Sequence, residues 1–277
     1  MFNRIDFLCL AFILILIAPA WGNSCHQAAL GRSCQALIDL DGAQSLPEAE
    51  GLAGNPIHTL TGAKLHTDVD LYAHSRWHGL GFYRFYQSHL VESSSLGHQW
   101  RHHFDYQLSA LPDGQYRLRL PDDRRMTLNG TPSKQGHIKR ASKALIWVRP
   151  DGQHYHFEQQ RLVQVSERPQ QPPIYLHYTD AHPDALLQRV SAGTQQLHFH
   201  YDDRQLLTQI DSPWGPVRFE YDPDQRRLMR VLYPDQRQLM YHYEQHKHPF
   251  SLTGVSIQAS ESSAPHRLRY WAYDPQG

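Results

Sequence analysis

The sequence predicts an all-β protein: antiparallel hairpins, with an N-terminal β domain continuing into an array of repeats. Three observations predict this. A Leu-x-x-Val/Ile spacing recurs at Leu162–Val165, Leu187–Val190, Leu207–Ile210, Leu228–Val231 and Leu252–Val255, with starts 25, 20, 21 and 24 residues apart. In four of the five copies a polar turn follows, then an apolar trio on alternate positions: Ile174-Leu176-Tyr178, Leu197-Phe199-Tyr201, Val217-Phe219-Tyr221 and Leu239-Tyr241-Tyr243. Beyond residue 22 there is no amphipathic helical pattern a dozen residues long. Period-two alternation puts each trio on one face of a strand, and the turns make each unit a hairpin. A lone hairpin cannot bury its apolar face, so the units must stack on their neighbours.

The chain begins with a segment of a different kind. Residues 1–22 read as a secretory signal, with Arg4 before an apolar run from Phe7 to Ala18 and a small-x-small site at Ala18-Pro19-Ala20. The run is shorter than the roughly 20 residues a membrane helix needs, so no stable membrane span is expected. A location outside the cytoplasm follows: secreted, periplasmic or at the cell surface. Cys9 leaves with the signal, which leaves Cys25 and Cys34. Three readings of these stay open: a disulfide, two free thiols, or lipidation at Cys25. The disulfide would contribute about 2–3 kcal/mol by loop closure.

Residues 23–53 are small, polar and glycine-bearing, a linker or leader. The N-terminal β domain is assigned to 54–150. It opens on the turn Gly54-Asn55-Pro56-Ile57 and an alternating run from Lys64 to Tyr72. Leu80-x-Phe82-x-Arg84-x-Tyr86-x-Ser88 places an arginine on the same face as apolar residues, where it should stack on rings or pair with a buried carboxylate. Phe104-x-Tyr106-x-Leu108, Tyr116-x-Leu118-x-Leu120 and Met126-x-Leu128 read as strands between Pro/Asp/Gly corners. Asn129 to Lys143 reads as polar and turn-like, and Ile146-x-Val148 as a strand. The repeat array spans 151–277, about five units with the last incomplete.

Several of these segments together resemble a known family. Gly54-Asn55-Pro56-Ile57, Thr61-Gly62-x-Lys64, Asp68 to Asp70, the Leu80–Ser88 run and Leu96-Gly97-x-x-Trp100-Arg101 resemble the N-terminal domain that precedes the repeats of Rhs (YD-repeat) proteins. Tyr201-Asp202, Tyr221-Asp222 and Tyr273-Asp274 resemble YD repeats. Gln225 stands where the family's Tyr-Asp-x-x-Gly-Arg has glycine, and Thr179 and Glu244 replace the aspartate. The resemblance implies a spiral of β-hairpins, here a partial shell, in a secreted scaffold that delivers a polymorphic toxin during bacterial competition. It implies as partner a C-terminal repeat and toxin portion or another shell-forming chain.

Composition and motifs bound the chemistry. Lys+Arg and Asp+Glu are each 27, for zero formal net charge, and no basic run exceeds Arg124-Arg125 or Arg226-Arg227. That excludes the electrostatic footprint of a nucleic-acid binder. Twenty histidines stand out. His154/His156 and His198/His200 alternate along strands, with His177 and His242 before repeat tyrosines, but no acidic or cysteine partner recurs beside them. Asp122-Asp123, Asp202-Asp203 and Asp222-x-Asp224 read as turn residues rather than calcium loops. No nucleophile elbow, phosphate loop or zincin motif is present. We therefore expect no catalytic, cofactor or metal residues and no enzyme activity, although a serine, histidine and acid distant in sequence can still meet. The alternative function is an extracellular carbohydrate-binding or cell-surface interaction module. The tyrosine ladder Tyr178, Tyr201, Tyr221 and Tyr243 would then be a sugar-binding strip rather than core stacking.

Overall fold

The repeat tyrosines and the Leu-x-x-Val motifs meet across neighbouring strands throughout the computed structural model, which describes residues 52–53, 57–58, 62–72, 80–166 and 172–273. The signal segment, most of the leader with Cys25 and Cys34, the Gly54–Pro56 turn and the chain end from Asp274 lie outside the described residues. Among the described residues none is helical, as the alternation predicts. The strands are β1 (Leu52–Ala53), β2 (Ile57–His58), β3 (Leu65–Leu71), β4 (Phe82–Gln87), β5 (Trp100–His102), β6 (Gln107–Ala110), β7 (Tyr116–Arg119), β8 (Arg125–Leu128), β9 (His137–Ala141), β10 (Ala144–Val148) and β11 (His154–Glu158). The repeat region supplies β12 (Arg161–Ser166), β13 (Ile174–Tyr178), β14 (Leu187–Ala192), β15 (Gln195–Tyr201), β16 (Leu207–Ser212), β17 (Gly215–Tyr221), β18 (Leu228–Leu232), β19 (Gln238–His242), β20 (Gly254–Gln258) and β21 (His266–Tyr270).

From β9 to β21 every strand pairs antiparallel with its chain neighbours, and β6, β7 and β8 join the same 16-stranded sheet where β6 pairs β12. Strands β3, β4 and β5 form a separate sheet, and β1 and β2 pair with each other. The three-stranded sheet packs on the buried face of the long one. Phe82 on β4 lies 5.8 Å from Phe199 and 6.1 Å from Phe219, ring centre to ring centre. One continuous apolar core results, running from Leu71 to Val255.

The Leu-x-x-Val spacing has a structural reason. In a regular strand residues three apart face opposite ways, yet Leu187 and Val190 are both buried. A β-bulge reconciles the two. Tyr178 pairs with Leu187 while His177 pairs with Arg189, so one extra residue is accommodated on β14. The same slip recurs at Tyr201/Leu207, Tyr221/Leu228 and Phe157/Leu162. The bulge also explains why the trio ends in tyrosine. The hydroxyls of Tyr178, Tyr201, Tyr221, Tyr243 and Tyr273 donate to the carbonyls of Leu162, Leu187, Leu207, Leu228 and Leu252, at 2.7, 2.6, 2.8, 2.9 and 2.9 Å. Each repeat thus satisfies a carbonyl of the motif leucine with its own aromatic. Tyr201→Phe is expected to lower stability by about 1 kcal/mol, the value of one such bond, measured by urea unfolding. No change would mean the hydroxyl is dispensable.

Four of the six Pro-Asp corners, at Asp113, Asp122, Asp151 and Asp235, are one turn used repeatedly. The residue after Pro-Asp is left-handed in each: Gly114 (φ 80), Asp123 (φ 65), Gly152 (φ 87) and Gln236 (φ 68). Each aspartate accepts the amide two residues on, at 3.0 Å for Asp113, 3.3 Å for Asp122, 3.1 Å for Asp151 and 3.2 Å for Asp235. Asp202 and Asp222 accept backbone amides in the same way, so the acidic pairs are turn residues. At Gln236 a side chain occupies a backbone region that favours glycine. Gln236→Gly is expected to raise stability by about 0.5–1 kcal/mol, seen as a higher urea midpoint; a lower midpoint would contradict this.

Two local readings are corrected. The 129–143 stretch contains β9, because an edge strand with only Ile138 buried looks polar in sequence. Ile146 and Val148 lie on strand β10, as expected, with Trp147 the buried residue between them. Phe104 and Tyr106 precede β6 in a turn, and the strand before them is Trp100–His102. Their rings are buried all the same.

Candidate functional site

Strand β3 is buried on both faces, and its alternation carries His66, Asp68 and Asp70 toward the long sheet. Asp68 pairs directly with Arg84 on β4. Asp70 is the extra residue of a bulge between Val69 and Leu71, which turns its carboxylate toward the same guanidinium. Arg84 is fully buried. Its Nε and Nη2 donate to Asp70 Oδ2 and Oδ1 at 2.5 and 2.9 Å, a bidentate fork. Nη2 also donates to the Tyr241 hydroxyl at 2.7 Å, and Asp68 Oδ2 lies 3.7 Å away. The guanidinium stands over Trp100 at 4.9 Å and Tyr241 at 5.3 Å. Pairing and stacking therefore occur together at Arg84.

The repeats complete the cluster. Tyr241 donates to Asp68 Oδ2 at 2.7 Å and Tyr233 to Asp70 Oδ1 at 2.6 Å. Two carboxylates face one guanidinium, and the two phenols satisfy the remaining negative charge. His66 Nε2 lies 3.1 Å from Asp68 Oδ1, outside hydrogen-bond alignment. Burial alone would push the Asp68 carboxyl up, but His66, Arg84 and the Tyr241 hydroxyl hold it far below the usual carboxylate range. Burial would equally lower Arg84, and Asp70 outweighs it, so the guanidinium stays charged. Burial raises both phenols well above their ordinary value, so each remains a donor. Nearby, Trp100 Nε1 donates to the Tyr243 hydroxyl at 3.1 Å and the Leu252 amide donates to the Tyr86 hydroxyl at 2.8 Å. A site of this kind holds two layers in one register.

A second contact lies at the 94–98 loop. The Leu207 amide donates to the Ser95 carbonyl at 2.7 Å and the His98 amide to the Arg226 carbonyl at 3.3 Å. Gly97 between them has φ 84, and a Cβ there would fall 2.0 Å from the Arg226 carbonyl oxygen.

The histidines of the repeat strands stay on the opposite face. His198 and His200 alternate outward between buried Leu197 and Phe199, and His200 Nε2 meets Asp211 Oδ2 at 2.7 Å. Among the described residues no three of His, Cys, Asp and Glu converge as metal ligands would. A serine, histidine and acid do meet: Ser256 Oγ is 2.8 Å from His242 Nε2, and His242 Nδ1 is 3.9 Å from Glu244 Oε1. Glu244, however, is held bidentately by Arg267 at 2.8 and 2.7 Å and accepts the Thr253 hydroxyl. Ser256 is buried. The group ties β19, β20 and β21 together. The ladder tyrosines are half-buried with their hydroxyls turned inward, which takes them out of a surface strip. In the sequence Asp68 and Asp70 stand without visible partners, Tyr241 shows only as a member of a repeat trio, and Tyr233 carries no mark of its role. The available signal was an Asp-x-Asp pair in an otherwise apolar strand opposite a lone arginine.

Residues 54–128 match a family described as a domain of unknown function, DUF6531. No curated protein matches. Two solved structures are similar to the chain. One is the crystal structure of TcdB2-TccC3-TEV, with 10% identity and TM-score 0.28 over 88% of this chain. The other is that of TcdB2-TccC3-Cdc42, with 12% identity and TM-score 0.27 over 87%. This chain spans 16% of the length of each of those chains.

Proposed function

We propose that the chain is a secreted structural scaffold segment of an Rhs-type toxin-delivery protein used in bacterial competition, non-catalytic itself. The observation that carries this reading is the keyed junction, in which strands β3 to β5 are locked to the sequential hairpins by Arg84, Asp70, Tyr233 and Tyr241. The motifs of that layer are the ones that resemble the Rhs N-terminal domain, and the DUF6531 match falls on the same block. A protein whose buried polar groups are spent on register between layers suits a shell rather than a reaction. After removal of residues 1–22 it acts outside the cytoplasm or at the cell surface. Its partner is a further repeat and toxin portion, or another shell-forming chain, added along β21, whose outer edge has no strand partner among the described residues. The test is to read the gene region beyond codon 277 and co-express what it encodes. Further repeat units, in the same or an adjacent frame, whose product co-purifies with this chain are expected. Finding no such units would overturn the delivery role.

A further inference from the structure

The outer face of the long sheet carries an ordered pattern that the scaffold reading leaves unused. Cross-strand partners fix two parallel rows. The first is Gln164, Tyr175, Ser191 and Gln196 on β12 to β15. The second is His177, Arg189, His198 and Asp211 on β13 to β16. Neighbours within a row stand about 5 Å apart, and the rows are about 7 Å apart along the strands. The first row is uncharged, with an aromatic ring 44% exposed among amide and hydroxyl groups. The second centres on Arg189, which has no ion-pair partner among the described residues and is flanked by a histidine on each side.

We propose that this face binds a linear acidic polysaccharide, with a sugar ring stacked on Tyr175 and the carboxylates of the chain lying along Arg189, His177 and His198. A sugar presents an apolar ring face and hydroxyls to the first row, and a uronic acid brings a carboxylate to Arg189 in the second. An anionic lipid surface would match the charge but has no use for a tyrosine framed by glutamines. His177 faces Arg189 and Ser191 on β14, the serine oxygen 3.4 Å from Nε2. His198 faces Arg189 on one side and Asp211 on the other, and that carboxylate is already held by His200 and Gln209 at 2.7 Å each. Burial and then Arg189 lower the basicity of His177. Carboxylates bound on Arg189 would reverse the second effect, so binding takes up protons and strengthens as pH falls.

The test is calorimetric titration of the full chain with polygalacturonate, with dextran and phosphatidylserine vesicles in parallel. Affinity for polygalacturonate is expected to be about tenfold higher at about pH 5.5 than at about pH 7.5, with dextran silent. Tyr175→Ala and Arg189→Gln should each weaken it about tenfold. His177→Gln with His198→Gln should flatten the pH dependence. All four side chains are on the solvent face, so thermal midpoints should stay within about 2 °C of the parent. No binding to polygalacturonate would overturn the proposal. So would equal binding to the vesicles with no effect of Tyr175→Ala, which would mark a surface that reads charge alone. Neither result bears on the delivery reading, which the gene region tests separately.

Discussion

Arg84→Met is expected to lower the unfolding free energy by about 3–5 kcal/mol, the largest single effect in the molecule. Methionine keeps most of the stem and its packing against Trp100, so the loss is electrostatic. It leaves Asp68 and Asp70, both buried, with two phenol donors and no cation. Removing one partner of a buried pair costs far more than the pair contributes, because the surviving charges keep their desolvation penalty. A triple variant serves as the control. Combining Arg84→Met with Asp68→Asn and Asp70→Asn removes the stranded charges and should recover at least half of the loss. Urea unfolding followed by tryptophan fluorescence measures both. A loss below about 1 kcal/mol for Arg84→Met would mean that water reaches the carboxylates and the cluster is not buried.

Gly97→Ala is expected to cost about 3 kcal/mol, for two independent reasons. The residue has φ 84, where a Cβ is strained, and that Cβ would overlap the Arg226 carbonyl. The clash falls on backbone, so no side chain can swing aside. To accommodate the methyl, the 94–98 loop must lift and give up the Leu207-to-Ser95 and His98-to-Arg226 bonds. Hydrogen exchange separates this from general destabilisation. The Leu207 amide should lose protection more than amides of β10 and β11. Uniform loss across the sheet would contradict a local undocking.

The residue patterns tell different amounts about different parts of the chain. Leu197, Phe199 and Tyr201 show the repeat strands plainly, because period two survives a half-buried sheet. The turn at Pro234-Asp235 is legible because proline and aspartate act locally. Arg84 announces itself as buried among rings. What the pattern does not reveal is long-range: Tyr241 and Tyr233 look like two more ladder aromatics, and nothing near them in sequence says that their hydroxyls end on Asp68 and Asp70. Strand β9 escapes notice because an edge strand with one inward side chain has little alternation to show. The choice of inward face on β10 has a simpler cause. Trp147 outweighs Ile146 and Val148 in buried area and takes the inward position. The bulges were concealed in plain view, since a strand that buries residues three apart must contain one.

Strands β3 to β5 dock on the repeats through the Arg84 cluster, and a double-mutant cycle between Arg84→Met and Tyr241→Phe decides whether they do. The two residues are 157 positions apart in sequence and 2.7 Å apart in the fold. A coupling energy of about 1.5 kcal/mol or more is expected. Changes that add within about 0.5 kcal/mol would show that the two side chains do not touch, and the docked arrangement would be wrong.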